Sequence, residues 1–155
     1  MTPLQKGATI ICGGKINEKL LPGAFLEPTL LVGVNSSMRI FHEEVFGPVM
    51  AIINWKTEDE LLQMINSSNY GLGSSVFCFD KERAKRISEG IEAGMGNIND
   101  FGVNYLYQCL PFGGVKHSRF GRFAGAEGLR ACCILELEPI YQNRSFIQKF
   151  LRHLK

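Results

Sequence analysis

The feature that most constrains the fold of this chain is a near-continuous apolar run, VMAIINW, at residues 49–55. A strand with apolar side chains on both faces is typical of a parallel sheet that is covered by helices. A capping box follows at residues 57–60, where the Thr57 hydroxyl can accept from the third helical amide and Glu60 can reach back to the Thr57 amide. A buried strand that leads into a capped helix predicts an α/β fold with right-handed crossovers.

Strands and helices are predicted to alternate along the rest of the chain. Residues 57–65 carry an apolar stripe at helical spacing that ends at the polar stretch 66–71, and residues 74–79 predict the next strand. Asp80 is a predicted N-cap for a second helix. The predicted buried face of that helix consists of Ala84, Ile87 and Ile91. Further strands are predicted at residues 8–12, 25–34 and 97–99.

The composition is that of a globular domain with one core, because 45% of the 155 residues are hydrophobic and 21% are charged. A net charge of +2 is too small for a nucleic-acid footprint, so nucleic acid is excluded as a partner. No segment approaches the roughly 20 apolar residues that span a bilayer, and the first residues lack the apolar stretch of an export signal. We therefore expect an intracellular protein, either cytoplasmic or associated with an intracellular membrane.

The five cysteines are an odd number and contain no Cys-x-x-Cys pair. Neither a disulfide framework nor a zinc site is indicated by this spacing, so no metal is expected. Reduced thiols in an intracellular protein are the better interpretation.

Residues 101–128 form a long stretch rich in glycine and aromatic side chains. Loops of this length within a compact domain usually carry function. After it, residues 131–138 alternate between two faces and predict a half-exposed strand. Cys133, Leu135 and Leu137 make up one face, and Ile134, Glu136 and Glu138 make up the other.

Several short motifs follow one another in a fixed order. EEVFGP at residues 43–48 precedes the buried strand, NYGL at residues 69–72 follows the capped helix, and PFGGVK at residues 111–116 precedes GR at 121–122 and EGL at 127–129. This ordered series resembles the aldehyde dehydrogenase superfamily from about residue 13 to residue 139. Three segments, at residues 99–101, 110–115 and 125–133, are most similar to the branch of plants and fungi often called family 22.

The resemblance implies the domain plan. Residues 1–129 would form the C-terminal part of the catalytic domain, an α/β unit with a parallel-type sheet and flanking helices. Residues 130–139 would form an oligomerisation-type strand, and residues 140–155 a basic amphipathic tail. The complete enzyme is expected to be a homo-oligomer.

The resemblance also implies the chemistry. In a complete enzyme a cysteine thiolate attacks an aldehyde, NAD or NADP takes up a hydride, and water hydrolyses the thioester to a carboxylic acid. The nucleophilic cysteine and the general-base glutamate are expected upstream of residue 1, so this chain holds no catalytic residue and is expected to be inactive alone. The alternative is an inactive truncated module that docks on a full-length partner.

Glu44 and Phe46 are the candidate cofactor-binding residues. A carboxylate accepts two hydrogen bonds at once, which suits the paired hydroxyls of a ribose, and the resemblance assigns Glu44 that role on the nicotinamide ribose. Phe46 would project to the same side of an extended segment and contact the nicotinamide ring. The alternative is an acidic turn with Phe46 as an ordinary core residue.

Phe112 and Asn99 are the candidate substrate-lining residues. Phe112 precedes Gly113-Gly114, where backbones can approach closely, and the resemblance places its ring beside the aldehyde. Its alternative is a Pro-Phe turn packed on the sheet. Asn99 would orient the catalytic region or, as the alternative, cap its own turn.

Four further positions depart from the family pattern or lie outside it. Gln108-Cys109 is similar to the Gln-x-Cys setting of the family nucleophile. Cys109 comes after the Glu44 motif and not before it, so no catalytic role is assigned to it. Arg119 stands where the family has glycine, whose usual positive φ Arg would adopt only at a cost of roughly 1 kcal/mol, so the loop at residues 116–122 is expected to be rebuilt or loosened. Tyr105 and Tyr107 are candidates for the aldehyde pocket, without an assigned role.

The tail lies beyond the resemblance. Ser145 is a plausible N-cap, and residues 146–154 place phenylalanine and leucine on one face of a short helix with basic residues on the rest of its surface. Docking of this face on the chain's own sheet or on a sister subunit is favoured over adsorption to an anionic membrane surface.

Overall fold

The computed structural model of the protein describes residues 2–134 and residue 136. Its first part is a three-stranded sheet of β1 (Thr9–Cys12), β2 (Thr29–Val32) and β3 (Val49–Ile52), in that order. β1 runs antiparallel to β2, and β2 runs parallel to β3. The predicted parallel pairing of the apolar run is therefore confirmed, although the strand ends at Ile52 rather than at residue 55.

The predicted burial of β3 on both faces is wrong for the described residues. Met50 is 64% exposed and Ile52 is 39% exposed. β3 is an edge strand of its sheet, and only its inner side contacts the core through Val49.

The core of this first part lies between the sheet and α1 (Arg39–His42). Its buried members are Ala8, Leu31, Val34 and Met38. Ile10, Ile40, Phe41, Val49 and Ile53 pack against them. Met38 is the largest fully buried side chain among the described residues, at 1% exposure, so it anchors the segment that enters α1.

The second part contains the predicted strand–helix–strand unit. It is built from α2 (Glu58–Asn66), β4 (Tyr70–Gly71), β5 (Gly73–Val76), α3 (Lys81–Gly90) and β6 (Met95–Ile98). β5 and β6 are parallel neighbours and α3 connects them, which confirms the α/β crossover.

Both predicted helix caps are present. The Thr57 hydroxyl accepts a hydrogen bond from the Glu60 amide at 3.2 Å, and Asp80 accepts from the Arg83 amide at 3.0 Å. The Glu60 carboxylate differs from the prediction, because it accepts from the Lys56 amide at 2.7 Å and not from the Thr57 amide. A bond from Glu60 to the amide of Lys56 or of Thr57 fixes the first turn of α2 to the residues that precede it.

α2 and α3 are joined by charge as well as by apolar packing. Ala84 and Ile87 of α3 are buried, as predicted, whereas Ile91 is the C-cap and only half-buried. Arg83 donates to the Glu58 carboxylate at 2.7 Å, which is the main cause of a raised Arg83 pKa. Its guanidinium also lies 5.9 Å from the centre of the Trp55 ring.

The last described part contains α4 (Val103–Leu106), β7 (Val115–Lys116) and α5 (Gly125–Ala131), and β7 pairs antiparallel with β4. The predicted strand does not begin at Ala131, because Ala131 is the last residue of α5 and the amides of Cys132 and Cys133 form turn hydrogen bonds to the carbonyls of Leu129 and Arg130. Residues 135 and 137–139 of that strand, and the predicted tail at 140–155, lie outside the described residues. No helix within the described ranges has the length and apolar content to cross a membrane.

Candidate functional site

The Phe112 loop, residues 111–116, is held by a short backbone bridge. The Phe112 amide donates to the Phe123 carbonyl at 2.7 Å, and the Phe123 amide donates back at 3.0 Å. The two rings lie 4.8 Å apart, and the Tyr105 ring meets them edge-on at 5.5 and 6.5 Å. Tyr105, Phe112 and Phe123 therefore form one aromatic cluster with favourable ring geometry.

The loop packs directly on the backbone of the segment between α3 and β6. A Cβ atom on Gly94 would overlap the Gly113 carbonyl oxygen and lie 2.7 Å from the Gly114 Cα. The Gly94 amide donates to the Gly71 carbonyl at 3.0 Å. Glycine at residue 94 is thus required by close approach of two backbones.

A groove of about 380 Å³ opens beside the loop. The rings of Phe112, Phe120 and Phe123 contribute to its lining, together with His117 and Arg122. An aromatic wall with a few polar groups is the usual lining of a small-molecule site.

Arg119 does not adopt the positive φ that a glycine usually supplies at this position. Among the described residues, the positive-φ positions other than glycine are Asn99, Lys116 and Ala124. The left-handed residue nearest to Arg119 in its own turn is Gly121, with a φ of 80°. The left-handed position of this turn is therefore occupied by a glycine two residues later, and Arg119 avoids the cost of a positive φ.

Glu44 and Phe46 lie on the segment between α1 and β3, both exposed, with Phe46 at 94%. No hydrogen bond or ion pair joins the Glu44 carboxylate to another described side chain. The neighbouring Glu43 is instead bound twice by Arg39, at 2.9 and 2.7 Å. This hydrogen bonding is the main cause of a lowered Glu43 pKa and a raised Arg39 pKa. Glu44 is the carboxylate left available to a ligand.

Asn99 uses its side-chain amide within the fold. Its Oδ1 accepts from the Cys78 amide at 2.8 Å, and its Nδ2 donates to the Cys78 carbonyl at 2.9 Å. Asn99 also has a φ of 54°. The amide thus joins the segments that follow β5 and β6, and these hydrogen bonds do not cap its own turn.

The structure brings Phe112 together with Tyr105 and Phe123, while Glu44 and Phe46 lie on a different part of the fold, before β3. Sequence reasoning missed Phe123. Tyr107 and Cys109 are exposed, and neither belongs to the aromatic cluster. Within residues 2–134 and 136, no group of three His, Cys, Asp or Glu side chains could hold a metal ion.

Parallel strands joined through a helix, with an aromatic loop packed at their side, place the chain in the α/β class of folds. A family model described as "Aldehyde dehydrogenase family" matches residues 2–136. The chain belongs to the aldehyde dehydrogenase family. The resemblance to the superfamily is thereby confirmed, and the assignment to its family 22 branch stays a prediction.

Two curated relatives illustrate the match. Aminoaldehyde dehydrogenase 1, peroxisomal, of Pisum sativum is 44% identical over 125 residues, which cover 81% of this chain and 24% of the relative. Succinate-semialdehyde dehydrogenase [NADP(+)] of Deinococcus radiodurans is 44% identical over 126 residues, 81% of this chain and 26% of the relative. The chain spans about a quarter of the length of these relatives.

Solved structures give the same result. Betaine aldehyde dehydrogenase from Staphylococcus aureus in complex with NAD+ superposes with a TM-score of 0.76 at 41% identity, over 84% of this chain and 26% of that chain. A salicylaldehyde dehydrogenase from Pseudomonas putida G7 complexed with salicylaldehyde has a TM-score of 0.79 at 37% identity, over 93% and 29% of the two chains.

Proposed function

We propose that this chain is the C-terminal part of an NAD(P)-dependent aldehyde dehydrogenase that oxidises an aldehyde to a carboxylic acid through a cysteine thioester. The observation that carries the proposal is that an available Glu44 carboxylate and an exposed Phe46 ring lie two residues apart in a chain of this family. The nucleophilic cysteine, the general-base glutamate and most of the dinucleotide-binding domain belong to sequence outside these residues. The chain alone is inactive, and the complete enzyme is a homo-oligomer inside the cell.

Glu44 and Phe46 suit a nicotinamide riboside in their chemistry. The carboxylate can accept from both ribose hydroxyls, and the exposed ring can cover one face of the nicotinamide. NAD(P)+ supplies the hydride acceptor of the reaction when it is bound. A relative solved with NAD+ and another whose name contains NADP(+) support a nicotinamide cofactor without selecting between the two.

Phe112 supplies an apolar wall for the aldehyde. Its ring is supported by Phe123 and Tyr105, so a ligand meets a rigid aromatic surface. The named relatives act on aldehydes that differ in charge, among them aminoaldehydes and succinate semialdehyde. Asn99 stays a weaker candidate for this lining because Cys78 occupies both ends of its amide.

The test is an assay of NAD(P)+ reduction with an aldehyde, made on the chain alone and on the same chain joined to the sequence encoded upstream of Met1. We expect no turnover by the chain alone, since half an active site cannot form the covalent intermediate, and turnover by the extended protein. Activity of the 155 residues alone would contradict the assignment of the nucleophile to other sequence. An extended protein that binds NAD(P)+ yet oxidises no aldehyde would contradict the function.

A second candidate function is an inactive module that docks on a full-length partner. The observation in its favour is the exposure of Phe77, Phe79 and Phe101, large apolar side chains that a partner would cover. A stop codon directly upstream of Met1, together with co-purification of the chain with a full-length enzyme, would favour the module. Free monomeric chain in the presence of that enzyme would count against it.

Glu44→Gln in the complete enzyme is expected to slow hydride transfer about tenfold, because an amide offers one acceptor oxygen where the carboxylate offers two. Single-turnover kinetics at saturating cofactor measure this directly. Glu43→Gln is the matched control, since that carboxylate is bound by Arg39 at the surface and should leave the rate unchanged. Equal rates in the two variants would remove the ribose role from Glu44.

Phe112→Ala in the complete enzyme is expected to reduce kcat/KM for bulky apolar aldehydes more than for small ones, by about tenfold in the ratio, because the ring provides surface and not chemistry. Phe25→Ala, which removes a ring from the segment before β2, is the control. A uniform loss for all aldehydes, with a lowered melting temperature, would show instead that Phe112 mainly supports Phe123.

A further inference from the structure

Lys116 ends the Phe112 loop, and its ammonium group has three acceptors within hydrogen-bond distance. Nζ lies 2.8 Å from the Asn66 carbonyl, 3.0 Å from the Ser68 carbonyl and 2.7 Å from the Glu92 carboxylate. The two carbonyl contacts are hydrogen bonds, and the contact with Glu92 is an ion pair. The side chain is 22% exposed, whereas Lys85 in its surface ion pair is 63% exposed.

The three acceptors come from two separate places in the fold. Asn66 is the last residue of α2 and Ser68 follows it, so their carbonyls belong to the helix end that carries partial negative charge. Glu92 lies between α3 and β6, and its amide donates to the Asn66 side chain at 2.8 Å. The same Asn66 side chain donates to the Gly90 carbonyl at 2.8 Å. One ammonium therefore ties the Phe112 loop to the end of α2 and to the end of α3.

The backbone of Lys116 supports the same interpretation. Its φ is 55°, a left-handed conformation that favours glycine. A residue other than glycine stays in such a conformation only when the surrounding structure holds it there. The left-handed turn of Lys116 coincides with the hydrogen bond from the His117 amide to the Asn69 carbonyl at 3.0 Å.

We propose that Lys116 is a positioning residue, and that its two hydrogen bonds and its ion pair with Glu92, together the Lys116 clasp, hold the Phe112 ring in the orientation that contacts the aldehyde. The effect on aldehydes rests on the function proposed above, whereas the clasp itself does not. The alternative is that Lys116 only caps α2 and leaves Phe112 unaffected. The two alternatives differ in where the chain loosens when the ammonium is removed.

The test is NMR-detected hydrogen exchange on the full 155-residue chain carrying Lys116→Met, which retains an apolar stem and loses the donors. The amides of His117, Phe112 and Phe123 are expected to exchange about tenfold faster or more, because the charged contacts that anchor the end of the Phe112 loop are lost. The Ala84 amide in α3 should keep its rate. Ring-proton shifts of Phe112 should move towards those of an isolated ring, as the Phe123 ring current at 4.8 Å is lost.

Lys85→Met is the matched control, because Lys85 pairs with Glu89 on the surface at 3.9 Å and its loss should leave all these amides unchanged. Unaltered Phe112 shifts and exchange in Lys116→Met would overturn the proposal, and so would equal acceleration in the loop and α3. Glu92→Gln provides a second variant in case Lys116→Met does not fold. It removes the ion pair and leaves the two hydrogen bonds, so it should accelerate the same amides by a smaller factor, whereas no change there would count against the clasp.

The complete enzyme provides a kinetic test of the positioning role. Lys116→Met should raise the KM for bulky aldehydes about tenfold while the KM for NAD(P)+ stays unchanged, since the loop and Glu44 lie on different parts of the fold. Equal changes in both constants would overturn positioning. If the unsubstituted complete enzyme oxidises no aldehyde, the proposed function is refuted, and the exchange result alone decides whether the clasp exists.

Discussion

Gly94→Ala is expected to destabilise the chain by about 3 kcal/mol or more and to displace the Phe112 loop. The added Cβ would overlap the Gly113 carbonyl oxygen and lie 2.7 Å from the Gly114 Cα. Both neighbours are backbone atoms, so no side-chain rotation can relieve the overlap. The hydrogen bond from the Gly94 amide to the Gly71 carbonyl would be lost when the segments separate. Urea denaturation followed by the fluorescence of Trp55, the one tryptophan of the chain, measures the change.

Gly47→Ala is the control for this prediction. The nearest atom to a Cβ at residue 47 is the Val45 Cγ1 at 3.9 Å, an ordinary contact, and Gly47 is not among the glycines with positive φ. Its substitution should change the free energy of unfolding by less than about 0.5 kcal/mol. If Gly94→Ala were as stable as Gly47→Ala, the close packing of the loop on the segment after α3 would be disproved.

The parts of the fold that were predictable depend on chemistry between near neighbours in sequence. Thr57 and Asp80 start their helices because each side chain accepts from an amide three residues later. The apolar spacing of Ala84 and Ile87 predicts which face of α3 is buried for the same local reason. These features give the order of strands and helices without knowledge of the rest of the chain.

The parts that were not predictable depend on distant partners. The apolar pattern of β3 does not reveal that Met50 stays exposed, because exposure depends on which other segments cover the strand. The alternation from residue 131 predicts a strand, yet Ala131 is the last residue of α5 and a turn follows at Cys132 and Cys133. A short alternating run is weak evidence against a helix that is already propagating.

The residues of the candidate site also fall into a predictable and an unpredictable group. The resemblance identifies Glu44, Phe46 and Phe112 because each stands within a continuous motif. Phe123 could not be identified, since its contact with Phe112 depends on a bridge across the intervening turn. The Lys116 contact with Asn66 joins residues 50 positions apart, so no local pattern contains it. Long-range hydrogen bonds of this kind require the three-dimensional structure.

Met38→Ala is expected to destabilise the chain by about 3 kcal/mol, because a fully buried side chain is replaced by a cavity. Met38 is 1% exposed and packs in the core with Leu31 and Val34. It also precedes α1, which has four residues and is too short to be stable without packing. The loss should therefore reach the segment that carries Glu44, and amide exchange of residues 39–46 should accelerate beyond the global change.

Met50→Ala is the matched control, since the same side chain is removed from a position that is 64% exposed on β3. Its effect on the free energy of unfolding should stay below about 1 kcal/mol, because little apolar surface leaves the core. Two outcomes separate core packing from a general effect of methionine loss. A large difference between the variants places the anchor of the Glu44 segment at Met38, whereas equal losses would show that α1 is held by contacts other than this core.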